Sequence, residues 1–108
     1  MSNPGESPPW QVSFTNQSRK QKENLPNEIQ KLLMVLITEL EWEGPEQAEW
    51  RNYGKLLGKG KNQDYRHCHL NSGKPRYVAV WKVIDMQVQI MEVKYVGTHE
   101  NADYRRIN

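Results

Sequence analysis

The chain is expected to be an α+β protein, a helical hairpin laid on a small sheet, and three observations lead there. Ile29, Leu32, Leu33, Leu36, Ile37 and Leu40 recur at helical spacing and form a broad apolar stripe. Residues 65–96 hold runs rich in Tyr, Val, Ile and Trp, separated by turn residues. Ahead of the helices, Trp10, Val12 and Phe14 alternate in the manner of a short strand.

Along the chain, residues 1–9 are rich in Pro, Gly and polar side chains and read as a flexible tail. Residues 10–108 are expected to form one domain. After the first strand, Thr15 or Asn16 is placed to cap a helix running through Arg19 and Lys22. Leu25, Pro26 and Asn27 interrupt it, because proline cannot continue a helix. The striped helix follows and stops at Gly44-Pro45.

Residues 45–63 read as a mobile surface loop anchored by Trp50 and Tyr53. Its run Gly54 to Lys61 is basic and glycine-rich but lacks the order of a phosphate-binding P-loop. Three strands are then expected, over residues 65–70, 76–84 and 87–96. A hairpin at residues 71–74 joins the first two, and a tight turn near Asp85-Met86 joins the last two. Residues 77–83 are almost continuously apolar, so the second strand should be central and covered on both faces.

The single Cys68 rules out an internal disulfide and suits a reducing compartment. There is neither a run of about 20 apolar residues nor a signal-peptide pattern, so a cytoplasmic protein without a membrane partner is expected. Charge is unevenly divided. Residues 1–50 carry four Lys/Arg against eight Asp/Glu, whereas residues 51–108 carry eleven against five. A basic half next to an acidic one suits a phosphate ligand or an acidic protein partner; scattered surface charge without a ligand is the plainer alternative.

The groups with chemistry in them lie in residues 64–104. All three histidines are there. His67 and His69 are two apart on a strand, so they share a face with Tyr65, while Arg66 and Cys68 point the other way. A His-x-His pair is half of a zinc site, but zinc needs further ligands. Cys68 faces away and His99 is the remaining histidine, so no metal is expected. Arg76, with the parity of Val78 and Val80, can hold a phosphate through its planar fork. His99 follows Gly97, where the backbone can turn sharply or a ligand approach closely, and Tyr104 lies a little further on. Each of these groups, taken singly, is also an ordinary exposed side chain.

The residues match a known pattern. Trp10-Gln-Val-Ser-Phe, the Asn24-Leu-Pro-Asn-Glu-Ile break, the 65–70 run, Tyr77-Val-Ala-Val-Trp-Lys-Val-Ile-Asp85, Val96-Gly-Thr-His99 and Tyr104 together resemble the RelE/ParE superfamily of bacterial toxins, over about residues 10–104. Within it the chain is most similar to the RelE-like mRNA interferases of type II toxin–antitoxin pairs. The resemblance implies a small twisted, mainly antiparallel sheet with the N-terminal helical hairpin packed on one face. It implies cleavage of mRNA on the ribosome, the ribose 2′-hydroxyl attacking the adjacent phosphate without metal or cofactor. It implies a cognate antitoxin as partner, beside the ribosome and mRNA.

That chemistry needs a base, an acid and positive charge on the phosphate. By resemblance, His69 and His99 take the proton roles, with His67 beside them. Arg76 stabilises the transition state and Tyr104 positions a nucleotide. Lys55, Lys59, Lys61, Arg66, Lys74 and Lys94 are the expected RNA-contacting cations. Two other readings use the same fold: a non-catalytic ParE-like inhibitor of gyrase, and an RNA- or ribosome-binding module without catalysis.

Overall fold

The structure is a computed structural model and describes residues 5–57, 59–60 and 62–107. It contains strand β1 (Gln11–Phe14), helices α1 (Asn16–Glu23) and α2 (Asn27–Glu43), and strands β2 (Gly54–Lys55), β3 (Asp64–His69), β4 (Tyr77–Asp85) and β5 (Ile90–Thr98). The sheet has five strands in the order β1-β5-β4-β3-β2. Every pairing is antiparallel except that of β1 with β5. A parallel neighbour requires a crossover, and the helical hairpin provides it. Among these residues no helix is long and apolar enough to cross a membrane.

The helix starts and stops follow local chemistry. Thr15 caps α1, its Oγ1 accepting from Ser18 N at 2.9 Å, and Ser18 Oγ returns the favour by accepting from Thr15 N at 3.0 Å. Ser18 Oγ also lies 2.7 Å from the Val93 carbonyl, to which it can donate, and the side chain is fully buried. One serine thus ties the first turn of α1 to β5. Pro26 is the residue before α2, where a missing N–H costs nothing. Gly44 ends α2 with φ of +96°, a conformation a side chain would strain, and a Cβ there would meet Trp10 Nε1 at 3.0 Å.

The core lies between the helices and one sheet face. Ile29, Leu33, Leu36, Ile37 and Leu40 of α2 meet Cys68, Leu70, Ala79, Trp81, Val83, Met91, Val93 and Val96. Leu32 packs at its margin. The opposite face carries a smaller cluster of Tyr65, Val78, Val80, Tyr95 and Ile107, with Leu56, Ala102 and Tyr104 against it. Residues 99–107 return over this second face. β4 is central and covered on both sides, as its continuous apolar run predicts: Val78, Val80 and Trp81 are fully buried.

Two expectations change. The 45–63 segment holds a strand: Gly54 and Lys55 pair with His67 and Arg66 on the sheet edge. A two-residue strand has no periodicity to read. Trp50 and Tyr53 do anchor the segment, Trp50 donating to Glu39 Oε2 at 2.5 Å and Tyr53 stacking on Trp81 at 6.2 Å between centroids. The last strand starts later than expected, at Ile90, because Asp85 Oδ1 accepts from Gln87 N and Val88 N and holds a wider turn. Its alternation is also broken: Val80 faces Tyr95 but Trp81 faces Val93, leaving Lys94 as an extra residue. Residues 1–4 of the expected tail lie outside the described residues; residues 5–9 are mostly exposed.

Ser18→Ala removes the N-terminal cap partner and the closer of two donors to the buried Val93 carbonyl, leaving it Thr15 N at 3.4 Å. It should cost about 1–3 kcal/mol. Urea unfolding should show a lower midpoint with an unchanged slope.

Candidate active site on the second face of the sheet

Strand parity and the bulge together assemble the site. In register, His69 of β3, Val78 of β4 and Gly97 of β5 form one row across the second face, and His67, Val80 and Tyr95 form the next. Beyond Gly97 the pairing continues: His99 N donates to the Arg76 carbonyl at 2.8 Å. Asn71 sets the end of β4 where Arg76 sits, accepting from Tyr77 N at 2.8 Å and donating to the Pro75 carbonyl at 3.2 Å.

The predicted catalytic side chains come together. The His69 and His99 rings meet edge to face, 5.5 Å between centroids. The His67 and Tyr104 rings lie 5.9 Å apart. His69 is buried, whereas Arg76 and His99 are exposed. Burial is the main reason that His67 sits below the ordinary histidine pKa, and His69 and His99 lower it further. His69 is lowered by burial, then by His99 and Arg76. The ring Nδ1 of His67 is buried with no hydrogen-bond partner. Both imidazoles are therefore held toward the neutral form. Burial pushes the Tyr104 phenol up, keeping it protonated.

The predicted cations fare differently. Arg66 does not belong to this surface. It is 7% exposed, ion-paired to Asp64 at 3.0 Å and bonded to the Tyr53 hydroxyl at 3.0 Å on the helix side. Its charge is spent on that network, which raises Arg66 and lowers Asp64. Lys94, at the bulge, pairs with Glu92 at 2.5 Å and lines a cleft of about 550 Å³ with Gln21, Tyr95, Gly97 and Arg106. Lys55 and Lys74 are exposed, on β2 and in the β3–β4 turn. Lys61 lies outside the described residues. Lys59 Nζ donates to the carbonyls of Tyr104, at 2.7 Å, and of Ile107, and sits 4.6 Å from the Tyr65 ring centre. It works as a tether for the C-terminal segment.

Sequence reasoning overlooked Lys82 and Tyr95. Lys82 approaches the Tyr65 ring at 5.5 Å on the site face, and its parity with Val78 and Val80 was the available signal. Tyr95 donates to the Thr98 carbonyl at 2.8 Å. Nothing in the sequence announces that bond, since it depends on the bulge. Cys68 is wholly buried on the helix face, its thiol pushed up to about 12 mainly by burial. Among the described residues no three His, Cys, Asp or Glu converge as a metal-binding group.

The lowered histidines make stability depend on pH. In the unfolded chain a histidine takes its proton near pH 6.5, and in the fold His67 and His69 are held below that value. The unfolded state then binds more protons, so stability is complete above about pH 6.5 and falls as the pH drops through the folded values. His67→Gln/His69→Gln should flatten the melting temperature between pH 7 and 5.5. A parent-like loss in the double variant would contradict this.

No protein-family model and no curated sequence matches the chain. Solved structures do match it. A chain of the archaeal RelE–RelB complex from Pyrococcus horikoshii superposes with a TM-score of 0.68 at 18% identity, covering 87% of this chain and 99% of that one. The isolated E. coli RelE toxin gives 0.58 at 19%, covering 87% and 88%. A chain of the E. coli DinJ–YafQ toxin–antitoxin complex gives 0.61 at 21%, covering 85% and 94%. This five-stranded mixed sheet with its helical hairpin has the RelE-like toxin–antitoxin fold.

Proposed function

We propose that the protein is the toxin of a toxin–antitoxin pair and acts as a ribosome-dependent endoribonuclease that halts translation. One observation carries this reading: on a RelE-like fold, His69, His99, His67, Arg76 and Tyr104 converge on the sheet face away from the helices. These are the groups that cleavage by an internal nucleophile requires.

The reaction needs neither metal nor cofactor. A neutral imidazole takes the proton of the ribose 2′-hydroxyl, whose oxygen attacks the adjacent phosphorus. The bond to the 5′-oxygen breaks, and that oxygen receives a proton, leaving a 2′,3′-cyclic phosphate. His69 is the better base, because burial, His99 and Arg76 keep it unprotonated near neutrality. His99, in contact with it, supplies the proton to the leaving oxygen. Arg76 offers a forked donor to the pentacoordinate phosphate. Tyr104 presents an aromatic face to a base beside the cut. Exposed Lys74 and half-buried Lys82 extend the positive field along the RNA backbone, whereas Lys55, opposite Arg66, lies on the other face.

The partner is a cognate antitoxin covering this face, and the compartment is the cytoplasm, where ribosomes and mRNA are. The solved RelE–RelB and DinJ–YafQ complexes are such pairs and support the assignment.

Induced expression with 5′-end mapping tests this reading. Wild type should produce cuts in translated mRNA, phased to codons. His69→Ala and His99→Ala should each lower cleavage at least about 100-fold. Arg76→Ala should lower it by a similar factor. Intact mRNA with a DNA-damage response would replace the nuclease with a gyrase inhibitor.

The rate should also follow pH. Activity should fall on the acid side as His69 takes up its proton, with a midpoint below pH 6.5 because its pKa is lowered. Single-turnover cleavage on programmed ribosomes between pH 5 and 8 reads this limb. A midpoint above 6.5 would remove His69 as the base.

A further inference from the structure

His99 has no strand to hold it. β5 ends at Thr98, and the chain turns into the 99–107 segment, where the His99 carbonyl accepts from Ala102 N at 3.2 Å. Its side chain is exposed, yet the ring lies at a defined distance from His69.

What defines it is one peptide group, the Thr98–His99 link. Its N–H donates to the Arg76 carbonyl at 2.8 Å. Its carbonyl accepts from the Tyr95 hydroxyl at 2.8 Å. The N–H and C=O of a trans peptide point in opposite directions, so the plane is gripped from both sides. One grip comes from the backbone of the proposed phosphate-binding arginine and the other from a buried phenol.

The phenol is well placed for that task. Tyr95 is 9% exposed and packs with Tyr65, Val78, Val80 and Ile107. Burial pushes its pKa up, and Tyr104 and Glu100 add to this, so it stays protonated and can donate. Gly97 provides the space. A Cβ at that position would lie 2.6 Å from the Tyr95 hydroxyl and 2.9 Å from Cζ. Any side chain at residue 97 must push the phenol away from the carbonyl it holds.

We propose that Tyr95 is a positioning residue of the site, its hydroxyl pinning the Thr98–His99 peptide so that His99 stands against His69 and Arg76, in a space that glycine at position 97 keeps open. Its catalytic consequence rests on the nuclease reading; the placement of His99 does not.

Tyr95→Phe in the full chain is the test, since it keeps the ring in the core and removes the hydroxyl alone. Two measurements separate placement from general stability. The first is the NMR titration of His69, which feels His99. It should move up toward the ordinary histidine value once His99 is released. The second is single-turnover cleavage on programmed ribosomes: the rate should fall about tenfold or more, with unchanged half-saturation, because misplacing a reacting group costs rate rather than affinity. Gly97→Ala should shift His69 in the same direction. Tyr95→Phe/Gly97→Ala should be no worse than the more affected single variant, because both remove one contact.

An unmoved His69 titration in Tyr95→Phe overturns the proposal, whatever the rate does. A shifted titration in a protein whose wild type cuts no mRNA leaves the positioning role standing and removes the nuclease reading instead.

Discussion

The site depends on one extra residue in a strand. Strict alternation along β5 would send Met91, Val93, Tyr95, Gly97 and His99 to the same side. Met91 and Val93 are core residues facing the helices. The bulge at Lys94, where Trp81 pairs with Val93 and Val80 with Tyr95, reverses the parity. Val96 then continues the helix-side core, and Tyr95 and Gly97 turn to the second face. Without it, His99 would emerge on the side already filled by α2, and no pair with His69 could form. Chain geometry at a single position thus decides whether the histidines meet.

The two faces divide the labour. The helix side carries the larger cluster, with Trp81 fully buried at its centre and Ser18 joining α1 to β5. That side absorbs Arg66 as well, neutralised by Asp64 and Tyr53, so a cation enters the interior without being left unpaired. The second face has a small apolar cluster, covered by residues 99–107. Lys59 holds the far end of that segment through two carbonyls, and Tyr95 holds its near end. A rigid sheet thereby lends precision to a short irregular stretch, which is what a site built partly on a loop needs.

The electrostatics follow from this packing. His67 and His69 are lowered first by burial and only then by neighbouring positive charge. Their surroundings are the low tyrosine- and valine-lined floor of the second face, with His99 and Arg76 at its rim. A neutral imidazole beside an arginine is a poor arrangement for holding a cation and a good one for receiving a phosphodiester. The RelE-like fold supplies the frame, and the frame alone does not specify which side chains stand on this face.

Much of this was legible in the chain itself. The 3.6-residue stripe of α2, the Thr15 cap, the stop at Gly44 and the doubly covered β4 are local patterns, set by spacing and by single-residue backbone preferences. Parity alone placed His67 and His69 on one face and Cys68 on the other. The tertiary structure decided what depends on partners distant in sequence. The two-residue β2 exists because β3 offers it a ladder. Arg66 is withdrawn because Asp64 and Tyr53 meet it on the helix side. His99 reaches His69 because a bulge opposite Val80 and Trp81 turns the strand over. Local sequence encodes periodicity, but a bulge, an ion pair and a loop return are settled by which other segments arrive beside them, and that is a property of the packed chain.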